Sequence, residues 1–221
     1  MSDELHNEFQ SKSPYRYLVF DNILNKEAAD TIYESFPKID DGVWDNKTYI
    51  DQKNKFHKRN FEKNSIMQNV FDELNSKEFL NWLNYVTNIK EPLIADPELF
   101  GGGLHQSIKG AFLNVHVDYN LHTKTKYHRR INVLIYMNKA WKEEYEGHLE
   151  LWDINQSNRN LLEKISPKFN RCVIFETNEI SYHGHPIPLN TPVGITRKSI
   201  ATYYYTKSRP MSEISSEHNT L

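Results

Sequence analysis

The sequence predicts a mainly β, α+β protein: a β-sandwich or barrel of the jelly-roll kind buttressed by N-terminal helices. Three observations predict it. Four short runs rich in β-branched and aromatic residues, RRINVLIYMN (129–138), EGHLELWD (146–153), RCVIFETN (171–178) and SIATYYYT (199–206), fill the second half with no long helix between them. Helical periodicity is confined to the first 90 residues. Seven of the eight glycines lie beyond residue 100, where short strands alternate with turns.

Along the chain, residues 1–13 are polar and are expected to be disordered. YRYLVFDNIL (15–24) reads as a strand, after which Asn25 caps the helix KEAADTIYESF, which ends before Pro37. Residues 38–64 are charged and read as irregular, with KNKFHKRNFEK their most basic part. SIMQNVFDELNS and KEFLNWLNYVTNI are amphipathic helices. Ile66, Val70, Phe71 and Leu74, then Phe79, Leu80, Leu83 and Val86, form apolar stripes suited to covering a sheet. GGGLHQSIKGAFLNVHVDYN contains an alternating run that ends in His116 and Asp118. With no internal repeat and no linker-like stretch, the expected organisation is one domain over 14–208. Its helical support spans 25–90 and its β core 100–206, and a tail follows over 209–221.

Composition excludes several function classes. One cysteine, Cys172, rules out an internal disulfide and a multi-thiolate zinc site. A formal charge of -2 and a pI near 6.6 argue against a dedicated nucleic-acid binder. No run approaches the roughly 20 apolar residues of a membrane helix, and the first residues lack a secretory pattern, so a reducing cytoplasm is the expected location. Phosphate-binding loops, a GxSxG elbow and an HExxH helix are all missing from the 221 residues. Histidine, by contrast, is concentrated: seven of ten fall between His105 and His185.

His116 and Asp118 lie two apart in a segment with strand character, which puts an imidazole and a carboxylate on one face. That pair is weak evidence alone. A third ligand would come from His183 or His185 in ETNEISYHGHPIP, and His183 is preferred because it lies nearer the preceding strand. Two histidines and one carboxylate leave positions open on a metal, the arrangement of non-haem Fe(II) oxygenases. Fourteen residues after His183, Arg197 and Ser199 share a strand face, where a guanidinium and a hydroxyl can grip a carboxylate.

The ordered set His116-x-Asp118, His183, Arg197-x-Ser199 resembles that of the 2-oxoglutarate and Fe(II)-dependent dioxygenases. The surrounding text, HRRINVLIYMNKAW, GHLELWD and HGHPIPLNTPVGITRKSIATYYYT, is similar to their prolyl 4-hydroxylase-like branch over about residues 14–208. The resemblance implies a double-stranded β-helix (cupin-like) core, with His116, Asp118 and His183 as iron ligands and Arg197 holding the distal carboxylate of 2-oxoglutarate. It also implies dioxygen as cosubstrate, with ascorbate a further candidate. The implied reaction hydroxylates a C–H bond while 2-oxoglutarate is decarboxylated to succinate and CO2. Fe(II), one aspartate and the dianionic cosubstrate sum to one negative charge, which Arg197 would neutralise. Animal-type prolyl hydroxylases commonly use lysine where this chain has Arg197, so a peptidyl proline is one candidate substrate beside other protein side chains and small metabolites. The alternative is a non-catalytic or differently metallated jelly-roll binding module.

Other residues carry weaker expectations. Asn132 and Tyr136 alternate with Ile131, Val133 and Ile135, and as polar residues they suit the cosubstrate wall. His122, His128 and Arg130 flank the loop after the metal pair, where they are candidates for meeting substrate or for a solvated basic loop. His148 and Glu150 form a competing pair that reads as the outward face of a strand. His105 follows three glycines at an entrance or a turn, and the tyrosines 203–205 read as core.

Overall fold

The computed structural model describes residues 2–46 and 52–220. The strand predicted at 15–24 forms as β1 (Tyr17–Asp21), and Asn25 caps α2 (Lys26–Glu34) by accepting the Ala28 N–H at 2.8 Å. Ser65 and Ser76 cap α3 (Ile66–Leu74) and α4 (Lys77–Thr87) in the same way. The apolar stripes of α2, α3 and α4 then bury Ile32, Phe71, Leu74, Leu83 and Val86.

Residues 38–64 depart from the irregular segment that their charge suggests. A hairpin of β2 (Asp45–Asn46) and β3 (Gln52–Lys58) forms there, and β3 adds to the edge of the long β5 (Gly103–His116). Cross-strand pairing with β5 decides this, and no pattern within the segment announces it. The rest of that expectation, residues 47–51, lies outside the described residues.

The remaining strands are β4 (Ile94–Ala95), β6 (His128–Tyr136), β7 (Leu149–Ile154), β8 (Arg159–Ile165), β9 (Arg171–Glu176), β10 (Tyr182–His185) and β11 (Arg197–Thr206). They pair antiparallel in the order β1-β9-β6-β11-β5-β10-β7-β8, and β4 pairs with β11. The result is a nearly closed, barrel-like jelly roll with four α-helices among the described residues. Two apolar clusters follow from strand alternation. Ile131, Val133, Ile135 and Met137 face the helices with Leu104, Ile174, Ile200 and Tyr204, whereas Tyr136, Leu149, Leu151 and Phe175 turn inward. Periodicity leaves open which face of β6 looks into the barrel. Packing against the helices decides it.

The N-terminal segment, expected to be disordered, differs from expectation over residues 2–11. Ser2–Ser11 is a helix, α1, whose Leu5 and Phe9 lie four apart, and Phe9 is fully buried. Gln10 Nε2 donates to Thr87 O at 3.0 Å and the His6 ring meets Tyr85 O at 2.9 Å, tying α1 to α4. An apolar pair in so polar a run becomes visible only once α4 offers it a surface. The tail is also held down: Arg209 Nη2 donates to Thr177 O at 2.6 Å, and Asn120 Nδ2 donates to Ser216 O at 2.8 Å. No helix among the described residues is long and apolar enough to cross a membrane.

Candidate metal centre

His116 ends β5 and stands opposite His183 of β10 across an antiparallel pair, and Asp118 follows just beyond the strand end. Directly opposed residues have Cβ atoms about 5 Å apart, so pairing alone brings the two imidazoles together. Their ring centroids are 4.5 Å apart. One ligand atom from each of His116, Asp118 and His183 lies within 4.8 Å of the others. This is the one such group among the described residues, and all three side chains are buried.

The hydrogen bonds suit a metal. His116 Nδ1 donates to Asn114 O at 2.7 Å and His183 Nδ1 donates to Ser181 O at 2.9 Å, which leaves both Nε2 lone pairs facing Asp118 at 3.6 and 3.5 Å. Outer partners of this kind fix tautomer and ring orientation in metal sites. Asp118 Oδ2 accepts from Asn132 Nδ2 at 2.7 Å and from Arg129 Nη2 at 2.9 Å, so Oδ1 is the oxygen left for a cation. Burial opposes the ionised carboxylate, but Arg129 and the two imidazoles outweigh it and hold Asp118 well below the usual range. Burial also lowers His183 to about 4, so its imidazole is neutral and ready to ligate at neutral pH. The donor set, two imidazoles and one carboxylate, fits a divalent first-row metal.

A cavity of about 220 Å3 opens beside the triad. Arg197 enters it from β11, donating through Nε to Gly147 O at 2.7 Å and through Nη2 to the Tyr136 hydroxyl at 3.1 Å. Its Nη1 has no acceptor among the described residues, so the fork is aimed yet open. Gly147 makes this possible: it sits at φ +70°, and a Cβ there would lie 2.2 Å from Leu189 and 3.1 Å from Arg197 Cδ. Ser199 and Tyr136 line the same wall.

Not every expected residue meets the cavity. Asn132 faces the cavity, but its amide serves Asp118 and accepts from Arg129 (Nε at 3.0 Å, Nη2 at 2.8 Å), which leaves little for a cosubstrate. His122 is buried between Phe100 and Tyr205, and its Nδ1 accepts the N–H groups of Lys124 and Thr125; it shapes the loop and does not meet the cavity. His128 starts β6 opposite Thr206. Arg130 points away toward Glu213 at 3.4 Å. His148 and Glu150 stay apart from the triad as expected, but they are buried and not an outward polar face, His148 meeting Glu143 and Glu150 accepting from Trp152. Tyr203 is not simple core, since its ring lies 3.6 Å under the Arg129 guanidinium at the cavity. His185 lines the cavity beside His183 without joining the triad.

Arg129 and Lys55 are the residues sequence reasoning missed. A bulge explains the first. On β11, Tyr204 and Tyr205 are consecutive, but their β6 partners are Ile131 and Arg129, so Arg130 is an extra residue that reverses the alternation. Lys55 arrives on β3, the strand that pairing alone reveals. For Tyr203 a signal existed, because it shares parity with Arg197 and Ser199.

Burial lowers His105 and His185, like His183, well below the ordinary 6.5 of a histidine. In the unfolded chain these imidazoles take up protons near 6.5, so between about pH 6.5 and 4 the unfolded state binds more protons. Stability of the metal-free protein is therefore expected to fall as pH drops through that window. Urea denaturation between pH 8 and 4 checks it; a midpoint that stays flat or rises toward pH 4 would contradict the burial of these rings.

Residues 102–205 match the family model described as the 2OG-Fe(II) oxygenase superfamily. A search of curated proteins returned no match. Among solved structures the chain is similar to a Pseudomonas putida prolyl-4-hydroxylase (TM-score 0.63, 13% identity, covering 91% of this chain and 98% of that one). It is also similar to a Trichoplax adhaerens prolyl hydroxylase in complex with a hypoxia inducible factor oxygen degradation domain peptide fragment (TM-score 0.61, 16% identity, 93% and 89%). A third is HygX from Streptomyces hygroscopicus with nickel, 2-oxoglutarate and hygromycin B bound (TM-score 0.60, 12% identity, 100% and 98%). At these identities the likeness is one of fold. The family match spans every strand that carries the triad and the arginine, so the part of the chain similar to the 2OG-Fe(II) oxygenase superfamily is the part that builds the site.

Proposed function

We propose that residues 14–208 form an Fe(II)- and 2-oxoglutarate-dependent dioxygenase domain in which His116, Asp118 and His183 hold the iron and Arg197 holds the distal carboxylate of 2-oxoglutarate. One observation carries the reading: with their Nδ1 atoms engaged by backbone carbonyls, the two histidines turn Nε2 toward the Asp118 carboxylate, and one ligand atom from each of the three buried residues lies within 4.8 Å of the others. A ferrous ion bound there supplies the oxidising chemistry, coupling decarboxylation of 2-oxoglutarate to hydroxylation of a substrate C–H bond.

The chain's own residues do the positioning. Arg197, with Tyr136 and Ser199 beside it, orients the cosubstrate through a charge-assisted fork. Arg129 and Asn132 keep Asp118 ionised and rotated with one oxygen inward. Phe175, Leu134 and Leu149 wall the cavity with apolar surface that limits water. A peptidyl proline follows from the likeness to prolyl hydroxylases, and a small molecule from the likeness to HygX. Cys172, buried and free, suits a reducing cytoplasm.

Purified protein given Fe(II), 2-oxoglutarate and dioxygen, with ascorbate to keep the iron ferrous, is expected to form succinate even without added substrate. Chelation should stop it. Succinate formation that is absent, or indifferent to chelation, would overturn the reading.

A further inference from the structure

The cavity holds more positive charge than the cosubstrate requires. Among the described residues that line it, Asp118 is the only carboxylate, against the three cations Lys55, Arg129 and Arg197. Arg129 is paired with Asp118 at 2.9 Å. Under the proposed function, on which this inference rests, Arg197 takes the distal carboxylate of 2-oxoglutarate, so both arginines have an anion in contact while the summed charge of metal, cosubstrate and lining stays positive. Lys55 alone is left over. Its ammonium has no acceptor among the described residues.

We infer that Lys55 is a specificity-determining residue and that the substrate of this site presents a carboxylate to it. The geometry follows from the strands. Lys55 of β3 stands opposite Ser107 of β5, and Ser107 stands opposite Arg197 of β11, so the two cations share one rung. Two strand spacings separate them by about 10 Å, and both side chains enter the same cavity. One cation can thus hold the cosubstrate while the other holds a second anion across the cavity. His185 lines the cavity too, and its buried Nδ1 has no partner among the described residues; as the neutral Nδ1–H tautomer it can donate a second hydrogen bond to that anion. Burial, then Arg197 and Arg129, lower the Lys55 ammonium to about 8 against the opposing pull of Asp118, so at neutral pH it remains mostly charged and, among the described residues, has no counter-ion in contact. A cavity of about 220 Å3 favours a small acid.

The test pairs free amino acids and 2-hydroxy acids with their primary amides. Each compound is given to the Fe(II)- and 2-oxoglutarate-loaded protein, read by extra succinate and by products heavier by one oxygen, and hits are titrated calorimetrically without dioxygen. Acids are expected to stimulate and bind, and amides to do neither. Lys55→Met should weaken acid binding roughly 30-fold or more while leaving the 2-oxoglutarate dissociation constant within about twofold; Lys55→Arg should restore much of the loss. Amides as good as acids, acid binding unchanged in Lys55→Met, or silence of both sets while the protein still converts 2-oxoglutarate would overturn the inference. So would a loss of 2-oxoglutarate affinity in Lys55→Met as large as in Arg197→Met. A wild-type protein that forms no Fe(II)-dependent succinate at all would instead refute the proposed function.

Discussion

Asp118→Ala is expected to reduce 2-oxoglutarate conversion to the metal-free background. Asp118 supplies the only carboxylate oxygen in the triad, and its Oδ1 is the one the surrounding donors leave open. Mn(II) affinity, measured calorimetrically, should fall by more than the roughly 10- to 100-fold that follows loss of an outer partner. The substitution also strands the guanidinium of Arg129, which is buried and loses its counter-ion. Breaking such a pair costs about 3–5 kcal/mol, so the variant should melt lower as well. Activity is therefore best compared at a temperature where circular dichroism shows both proteins folded. Turnover that survives there would remove Asp118 from the metal centre.

Arg129→Met is expected to have the larger effect on stability. Arg129 is 1% exposed, sits 4.4 Å from the Tyr119 ring and 3.6 Å from that of Tyr203, and faces Asp118. Without it a buried carboxylate keeps only the two imidazoles and Asn132. The same ~3–5 kcal/mol applies, which for a chain of this length lowers the melting temperature of the metal-free protein by about 6–20 °C. A bound divalent cation replaces the lost charge, so adding Mn(II) should recover part of the loss. Arg129→Lys should recover little, because an ammonium reproduces neither the fork to Asp118 and Asn132 nor the stack on Tyr203. Melting temperatures within 2 °C of wild type, with and without metal, would show that the pair carries no such weight.

The two predictions differ in how visible their residues are in the sequence. Asp118 announces itself through its spacing from His116 and through the order His, Asp, His, Arg along a β-rich half. Arg129 and Arg130 look equivalent, and alternation assigns Arg130 to the face of Asn132. The bulge in β6 reverses that choice, and nothing local to HRRINV marks it. Likewise His122 reads as a loop histidine, yet Phe100 and Tyr205, which bury it, are 22 and 83 positions away in the chain.

The sequence by itself determined α2–α4, the strands β1, β5, β6, β7, β9 and β11, and the metal-binding order. Local rules suffice there: caps at Asn25, Ser65 and Ser76, a period of 3.6 in α2–α4, a period of two in β6 and β11, and the i, i+2 pair at the end of β5. Tertiary structure alone decided which face of β6 looks inward, that His183 and not His185 stands opposite His116, that Arg129 backs Asp118, and that β3 brings Lys55 to the cavity. Each of these depends on register between strands distant in sequence. A shift of one residue changes the face of every side chain that follows it, so the chemistry of this site was set by pairing that no single segment encodes.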